Sequence, residues 1–405
     1  MRLNYLQLTE FRSYHHLDLP IPEAGLVLVG RNATGKSTVL EAIRMLSTLR
    51  SPRSLHDRDV INWTSGQDLE AAPFARVVGR ATENSETINV ELGMQRALEG
   101  AGPLRKVIRV NHQPRRMQDS IGVIQTVLFT PEDLDLVGGA PSGRRRFIDL
   151  LMSQIDRGYV GHLARYLRVL EQRNSLLRGY ARQGGPRAGL IEQLGFWDEQ
   201  LAEHGAYVTG VRRYQIVRLA EAFSQRTPVF TQSARLSLAF LPSLGADFLA
   251  GARTGDDLAH VLAVARREFD SQLRMRRDEE IRRGMTVVGP HRDELELHIE
   301  GRSLADFGSR GQQRLAVIAL KLAEADVIAE GSAMPILLLD DLLSELDIEH
   351  RRTLLGELRA GGAQIILTTA DDSQVQGSAV ETLPRAHIVN GEVVVGGDSE
   401  TGERA

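Results

Sequence analysis

The chain of 405 residues contains no cysteine. This excludes disulfides and thiolate metal sites, and with no leader-like start at Met1-Arg2-Leu3-Asn4-Tyr5 the expected location is the cytoplasm. No run of 18 or more apolar residues is present, so no membrane-spanning helix is expected. Excess charge is also missing: the formal net charge is −4, and any nucleic-acid surface must therefore be local. Sustained heptads and internal repeats are absent, which argues against a long coiled coil or a solenoid. What remains is an ordinary globular composition, 42 % hydrophobic and 25 % charged, long enough for two or three domains.

Against that background one stretch carries chemistry. Gly30-Arg31-Asn32-Ala33-Thr34-Gly35-Lys36-Ser37-Thr38 fits the phosphate-binding pattern G-x-x-x-x-G-K-[ST]. Gly25 to Val29 reads as a buried strand entering the loop. A helix is expected from Ser37, with Val39, Leu40, Ile43 and Leu46 on one face. Gly30 and Gly35 let the backbone turn its N–H groups inward around an anion, and the new helix adds its positive end. Lys36 is placed to neutralise β- and γ-phosphate charge, and the Ser37 hydroxyl to ligate Mg²⁺.

Such a loop needs a carboxylate on a second strand. Ile336 to Asp340 is an apolar strand ending in Asp340, the expected Mg²⁺ partner of Ser37. Asp341 follows, placed to orient or deprotonate an attacking water, and Ser344-Glu345-Leu346-Asp347 comes next. Around this pair the pattern predicts a hairpin within residues 2–19, strands through residues 74–115 and a strand from Val123 to Phe129. Helices are expected over residues 145–225 and 256–283, with a strand from Gln232 to Leu241 between them. A further helix opens after Ser309-Arg310-Gly311-Gln312-Gln313. Asn390-Gly391 predicts a closing hairpin with a type I′ turn. Three basic clusters, at 105–116, 144–146 and 266–283, are candidates for phosphate contact, with solvated surface as the plain alternative.

The order of phosphate loop, Ser309 to Gln313, Asp340 strand and Ser344 to Asp347 resembles that of ABC-type ATPases, with a long insert as in the SMC-like branch. Seven stretches narrow the match: Phe11 to Tyr14, Phe129 to Leu134, Arg145 to Asp149, Gln172 to Leu177, Gly289 to Asp293, Ser309 to Arg314 and Leu339 to Asp347. Together they resemble the RecF family of bacterial recombination mediators and cover nearly the whole chain. The resemblance implies an α/β fold: an ABC-type P-loop ATPase head, a mixed sheet with flanking helices plus an antiparallel β-subdomain, carrying an inserted mainly helical lobe. The expected boundaries are 1–140 with 286–405 for the head and 141–285 for the insert, with a disordered tail over 397–405.

The resemblance also implies a weak, DNA-stimulated ATPase that uses ATP and Mg²⁺ and forms an ATP-dependent head-to-head homodimer on double-stranded DNA near single-strand/double-strand junctions. It would help RecA loading with RecR and RecO, with no membrane partner. By position, Gly30 to Thr38 would bind phosphates, with Lys36 and Asp341 catalytic, Ser37 and Asp340 on the metal, and Arg12 near the nucleotide. Ser309, Arg310, Gly311, Gln312 and Gln313 would act as the signature across the dimer, with Ser344 and Asp347 in the D-loop. Arg310 replaces a signature glycine, no switch histidine follows Ile365 to Thr369, and no glutamine near Phe129 to Asp133 serves as a Q-loop. An ABC transporter subunit does not fit so long an insert. The alternative that stays open is another SMC-like DNA clamp with a purely structural role.

Overall fold

Alternating apolar residues in the first twenty positions build the first sheet. In the structure, a computed structural model that describes residues 1–54, 56–66, 72–97, 104–184, 186–231, 234–249, 253–389 and 392–395, β1 (Arg2–Phe11) and β2 (Tyr14–Pro20) pair antiparallel around the turn at Arg12 and Ser13. The chain then gives β3 (Gly25–Val29), buried throughout, and α1 (Lys36–Thr48). Next come β4 (Phe74–Glu83), β5 (Glu86–Gln95), β6 (Arg105–Val110), β7 (Gln113–Arg115) and β8 (Thr126–Phe129). By packing, the chain falls into two compact units, one of Met1–Asp133 and Ile328–Ala405, the other Leu134–Val327.

The second unit holds α2 (Asp135–Gly138), α3 (Pro141–Ile155), α4 (Tyr159–Gln183), the 44-residue α5 (Arg187–Phe230), β9 (Leu236–Leu241) and α6 (Leu258–Arg283). It continues with β10 (Glu294–Ile299), β11 (Arg302–Ser303), α7 (Leu304–Phe307) and most of α8 (Arg310–Ala329). The sequence-based boundary at 285/286 therefore differs from the packing boundary. The reason is pairing: β9 forms a three-stranded sheet with β10 and β11, which keeps residues 294–303 with the insert. Several of the family stretches serve this unit's interior. Arg212, 1 % exposed, donates to Asp149, Asp293 and the Pro290 carbonyl. Arg173, fully buried, donates to Asp198, Glu280 and Thr286. Charges buried this deeply persist because each is paired and hydrogen-bonded.

The chain returns to the first unit with β12 (Ile336–Leu339), α9 (Ile348–Ala360), β13 (Ile365–Thr369), β14 (Arg385–Val389) and β15 (Glu392–Val395). The second six-stranded sheet runs β15-β14-β3-β13-β12-β8, parallel except for the β14–β15 hairpin at its edge. Its central strands are buried on both faces, so their sequences are continuous apolar runs rather than alternating ones. The other sheet, β2-β1-β4-β5-β6-β7, is antiparallel with one face inward. One cluster joins Leu6, Leu8, Val77 and Leu92 of that face to Val39, Ile43 and Leu46 of α1 and to Leu28, Leu338 and Ile366. Helix α1 is thus buried on every side except Ser37, more than the single apolar face expected, and its Glu41 and Arg44 are satisfied internally. The α/β class with a mixed sheet and an antiparallel subdomain is as expected from the sequence. The expected Asn390-Gly391 turn and 397–405 tail, and residues 98–103, lie outside the described residues, although β14 and β15 pair with Val389 opposite Glu392. Among the described residues no helix is long and apolar enough to cross a membrane.

Candidate nucleotide-binding site

The phosphate loop sits where β3 feeds α1. Gly35 adopts φ 107°, and a Cβ there would lie 2.7 Å from the Tyr14 hydroxyl, so this position tolerates only glycine. Tyr14 supports the loop from below, donating to the Gly35 carbonyl at 3.2 Å. Gly30 is equally confined, with the Ile388 carbonyl 2.8 Å from its would-be Cβ. The Thr34 hydroxyl donates to the Arg31 carbonyl at 2.9 Å and closes the loop on itself. No side chain caps the N-terminus of α1, so its first N–H groups remain for an anion.

Lys36, 7 % exposed, donates to the Gly30 and Arg31 carbonyls at 2.6 and 2.8 Å. Burial pulls its pKa below the usual lysine value, and the nearby Asp341 and Asp340 oppose that pull. The Ser37 hydroxyl donates to Asp340 Oδ1 at 2.7 Å, joining residues 303 positions apart. Asp340 is delivered by β12, which lies between β13 and β8. Thr368, at the end of β13, donates to the same Asp340 oxygen at 2.9 Å and accepts the Asp341 N–H at 2.9 Å. Asp341 itself has φ 46°, an uncommon conformation for a residue with a side chain.

These groups surround a cleft of about 310 Å³ lined by Ser13, Asn32, Ala33, Gly35, Lys36, Ser37, Thr38, Arg53, Asp341 and Thr368. Two oxygens of opposite character, a hydroxyl and a carboxylate, fit a hard divalent cation that fills its shell with phosphate and water. Among the described residues no group of three or more His, Cys, Asp or Glu side chains could hold a metal alone. The uncapped α1 terminus, the glycine cradle and the buried lysine fit a polyphosphate.

Sequence reasoning missed three cleft residues. Ser13 lies in the Phe11 to Tyr14 family stretch but carries no expected role there, Arg53 comes from a loop with no motif of its own, and Thr368 is hidden in an apolar strand. Arg12, expected near the nucleotide, points elsewhere: its guanidinium binds both oxygens of the buried Glu41 at 3.0 and 2.7 Å, and also Ser54 and the Asp59 carbonyl. Its neighbour Ser13 takes the cleft position. Arg53 is held there by Ser51, whose hydroxyl accepts the Arg53 and Ser54 N–H groups and donates to Glu41.

In the second unit, Ser309 and Gln312 bond reciprocally as a capping box at the start of α8, side chain to backbone N–H in both directions. Gln313 is 7 % exposed, and its amide donates to the Leu304, Ala305 and Gly308 carbonyls. Arg310 and Gly311 are exposed. Back in the first unit, Ser344 donates to the Asp341 carbonyl at 2.8 Å, and Asp347 caps α9 through the His350 N–H, beside the exposed Ile348.

The family model described as RecF/RecN/SMC N terminal domain matches residues 2–392. The DNA replication and repair protein RecF of Thermomicrobium roseum is 39 % identical over 402 residues, covering 98 % of this chain and all of that protein. Two solved structures of the recombination mediator protein RecF of the RecFOR pathway are similar throughout. RecF-ATPrS has a TM-score of 0.81 at 29 % identity, covering 96 % of this chain and 97 % of that one. RecF-ATP has a TM-score of 0.80 at 28 % identity, covering 98 % of both chains. With the ATPase-type fold and the phosphate loop already in place, these matches settle the family: the chain belongs to the RecF family of DNA replication and repair proteins.

Proposed function

We propose that this protein is an ATP-dependent DNA-binding protein of recombinational repair and replication restart, with slow ATP hydrolysis. The observation that carries the reading is the Ser37–Asp340 hydrogen bond beside the buried Lys36, which brings the two halves of a phosphate-and-cation site together. The loop from Gly30 to Thr38 cradles the phosphates with its N–H groups, and Lys36 exchanges its two loop carbonyls for β- and γ-phosphate oxygens. Ser37 and Asp340 would hold Mg²⁺, which when bound would neutralise phosphate charge there. Asp341 orients the attacking water and takes its proton as the water oxygen bonds to the γ-phosphorus and ADP leaves. Thr368 fixes the backbone of Asp341 for that task. Arg12 acts one step back, holding Glu41 and Ser54 and through them the wall that carries Arg53.

ATP joins two copies head to head, with Ser309, Arg310, Gly311, Gln312 and Gln313 of each facing the nucleotide of the other and Ser344 and Asp347 at the seam. The dimer closes on double-stranded DNA near junctions with single strands. It aids RecA loading with RecR and RecO in the cytoplasm, and hydrolysis resets it. Two facts support this reading: the family membership and the RecF-ATP likeness along the whole chain.

Sedimentation with and without Mg-ATP, each with and without a short duplex, tests it. ATP-driven dimers that carry duplex are expected. A monomer indifferent to both ligands would refute it.

A further inference from the structure

The antiparallel sheet of the first unit turns one face to the core, with Val77, Leu92 and Ile108 on it. Alternation then places Arg76 and Arg80 of β4 and Arg105 and Arg109 of β6 on the opposite, solvent face. The register fixes their order. Along this face Arg105 lies across from Gln95 and Phe74, Val107 across from Gly93 and Arg76, and Arg109 across from Glu91 and Val78. Arg80 lies beyond, across from Asn89. The arginines therefore alternate between two strands that flank β5, in the order 105, 76, 109, 80, one at every second residue. At about 3.4 Å per residue and about 4.8 Å between strands, this zigzag is about 20 Å long and about 10 Å wide.

The local contacts hold the side chains out along the face. Arg76 and Arg109 both donate to Glu91 Oε1, at 2.8 and 3.1 Å, and Arg76 also donates to Gln7. Arg80 lies over the Tyr5 ring, 4.6 Å from its centroid. Arg105 makes no ion pair with the described residues and is exposed. At the middle, Gly93 leaves a gap: a Cβ there would meet only Val107, at 3.7 Å or more. Two of the four guanidiniums, those of Arg76 and Arg109, thus share one carboxylate. The other basic clusters are partly spent in pairs. Arg144 is bound by Glu294, and on α6 Arg266, Arg276, Arg277 and Arg283 are each paired with an acid.

We propose that this arginine zigzag is the surface that takes up the sugar–phosphate backbone of double-stranded DNA, and that Glu91 is a built-in competitor which holds Arg76 and Arg109 extended and limits affinity. The inference rests on the DNA-binding reading above and adds its location and its brake. Over about 20 Å a duplex presents about a dozen phosphate charges, enough for every arginine to find one. Single strands are gripped through aromatic stacking; of the two rings on this face among the described residues, Tyr5 is already covered by Arg80 and Phe74 is half-buried at the end of the zigzag. Between the arginines the floor is Gly93, Val78 and Val107, too short to reach base edges, so recognition is of backbone and not of sequence.

Fluorescence anisotropy of a labelled 30-bp duplex (about three helical turns) with the full-length protein and Mg-ATP, over a salt series, tests this. Arg105→Ala and Arg80→Ala should each weaken binding about fivefold at 0.15 M salt and flatten the log–log salt slope by about 0.9 per lost contact, alike for unrelated sequences. Glu91→Gln should bind more tightly than wild type. Arg267→Ala, on α6, serves as the control. Wild-type binding with Arg105→Ala and Arg80→Ala unchanged in affinity and slope would overturn the assignment of this face. Loss of an acidic protein partner in those variants, with duplex binding intact, would overturn it equally. Failure of the wild type to bind duplex at any salt would instead sink the DNA-binding reading on which it rests.

Discussion

Replacing Gly35 with alanine separates two reasons for a glycine in the phosphate loop. The backbone there has φ 107° and ψ 3°, outside the regions open to residues with a Cβ. Holding alanine in such a conformation costs about 1–3 kcal/mol. The new methyl would also stand 2.7 Å from the Tyr14 hydroxyl and 3.0 and 3.1 Å from its ring carbons. Tyr14 is 1 % exposed and packed in the main cluster, and burial raises its pKa to about 12, so the hydroxyl stays protonated and in place. Overpacking of this kind costs about 1–3 kcal/mol more.

The two contributions respond differently to a second substitution. Tyr14→Phe removes the 2.7 Å contact and leaves the backbone conformation as it was. Gly35→Ala should therefore lower the thermal midpoint of the first unit by roughly 2–4 °C for each kcal/mol lost. Combining it with Tyr14→Phe should recover part of the packing loss and none of the strain. Binding of a fluorescent ATP analogue should fall in both, because the loop must shift its N–H groups to admit the methyl. Differential scanning calorimetry and fluorescence titration read the two effects. A Gly35→Ala protein that melts and binds as wild type would refute the reasoning, since neither the dihedral nor the tyrosine would then constrain the loop.

Two further outcomes follow from buried charge. Arg12→Met leaves the Glu41 carboxylate, fully buried, without its bidentate partner. The loss should approach the low end of about 3–5 kcal/mol, because Arg12 itself is a quarter exposed. A combined Arg12→Met, Glu41→Gln protein should regain part of it in urea denaturation, and an unchanged midpoint in the single variant would contradict the assignment. His291, buried against Tyr166 and Thr286, has its pKa pushed down to about 4 from an unfolded value near 6.5. Desolvation is the main cause, with Arg292, Arg145 and Arg212 adding to it. The unfolded chain therefore takes up this proton first. Stability is intact above about pH 6.5, is lost as pH falls toward 4, and changes no further below that, with a limit of about 3 kcal/mol. Urea midpoints at pH 8 and pH 5 should converge in His291→Gln relative to wild type, and an equal slope in both would remove His291 from the account.

The parts of the site that are legible in the sequence are those where one short segment supplies both the geometry and the chemistry. Gly30 to Ser37 is such a segment, and so is the apolar run ending at Asp340. Their meeting across 303 positions follows from the parallel placement of β3, β13 and β12. The cleft positions of Ser13, Arg53 and Thr368 are not legible, because each reaches the cleft from a separate loop or strand end; the Phe11 to Tyr14 stretch marks the family without showing that Ser13, and not Arg12, faces the cleft. The family resemblance puts Arg12 near the nucleotide, and the buried Glu41, three residues beyond Thr38 on α1, explains where its charge goes instead. The unit boundary expected with the family resemblance falls at 285/286, whereas in the structure the β9–β10 ladder keeps residues 294–299 with the insert.

Register explains what remains hidden in β4 and β6. Each strand alone shows arginines at i and i+4, an unremarkable solvated edge. Their order across β5 is what converts two pairs into one zigzag, and it depends on ladders that no single strand encodes. The opposite face of β6 completes the argument. Lys106 points inward and donates to the Leu49 carbonyl and to Asp57. Asp57 accepts the Ser51 N–H, and Ser51 donates to Glu41, the partner of Arg12. One strand thus presents Arg105 and Arg109 to solvent while its inward lysine anchors the segment that carries Arg53 to the nucleotide cleft. The sheet that carries the arginine zigzag is, through Lys106, also the frame on which that wall of the cleft is mounted.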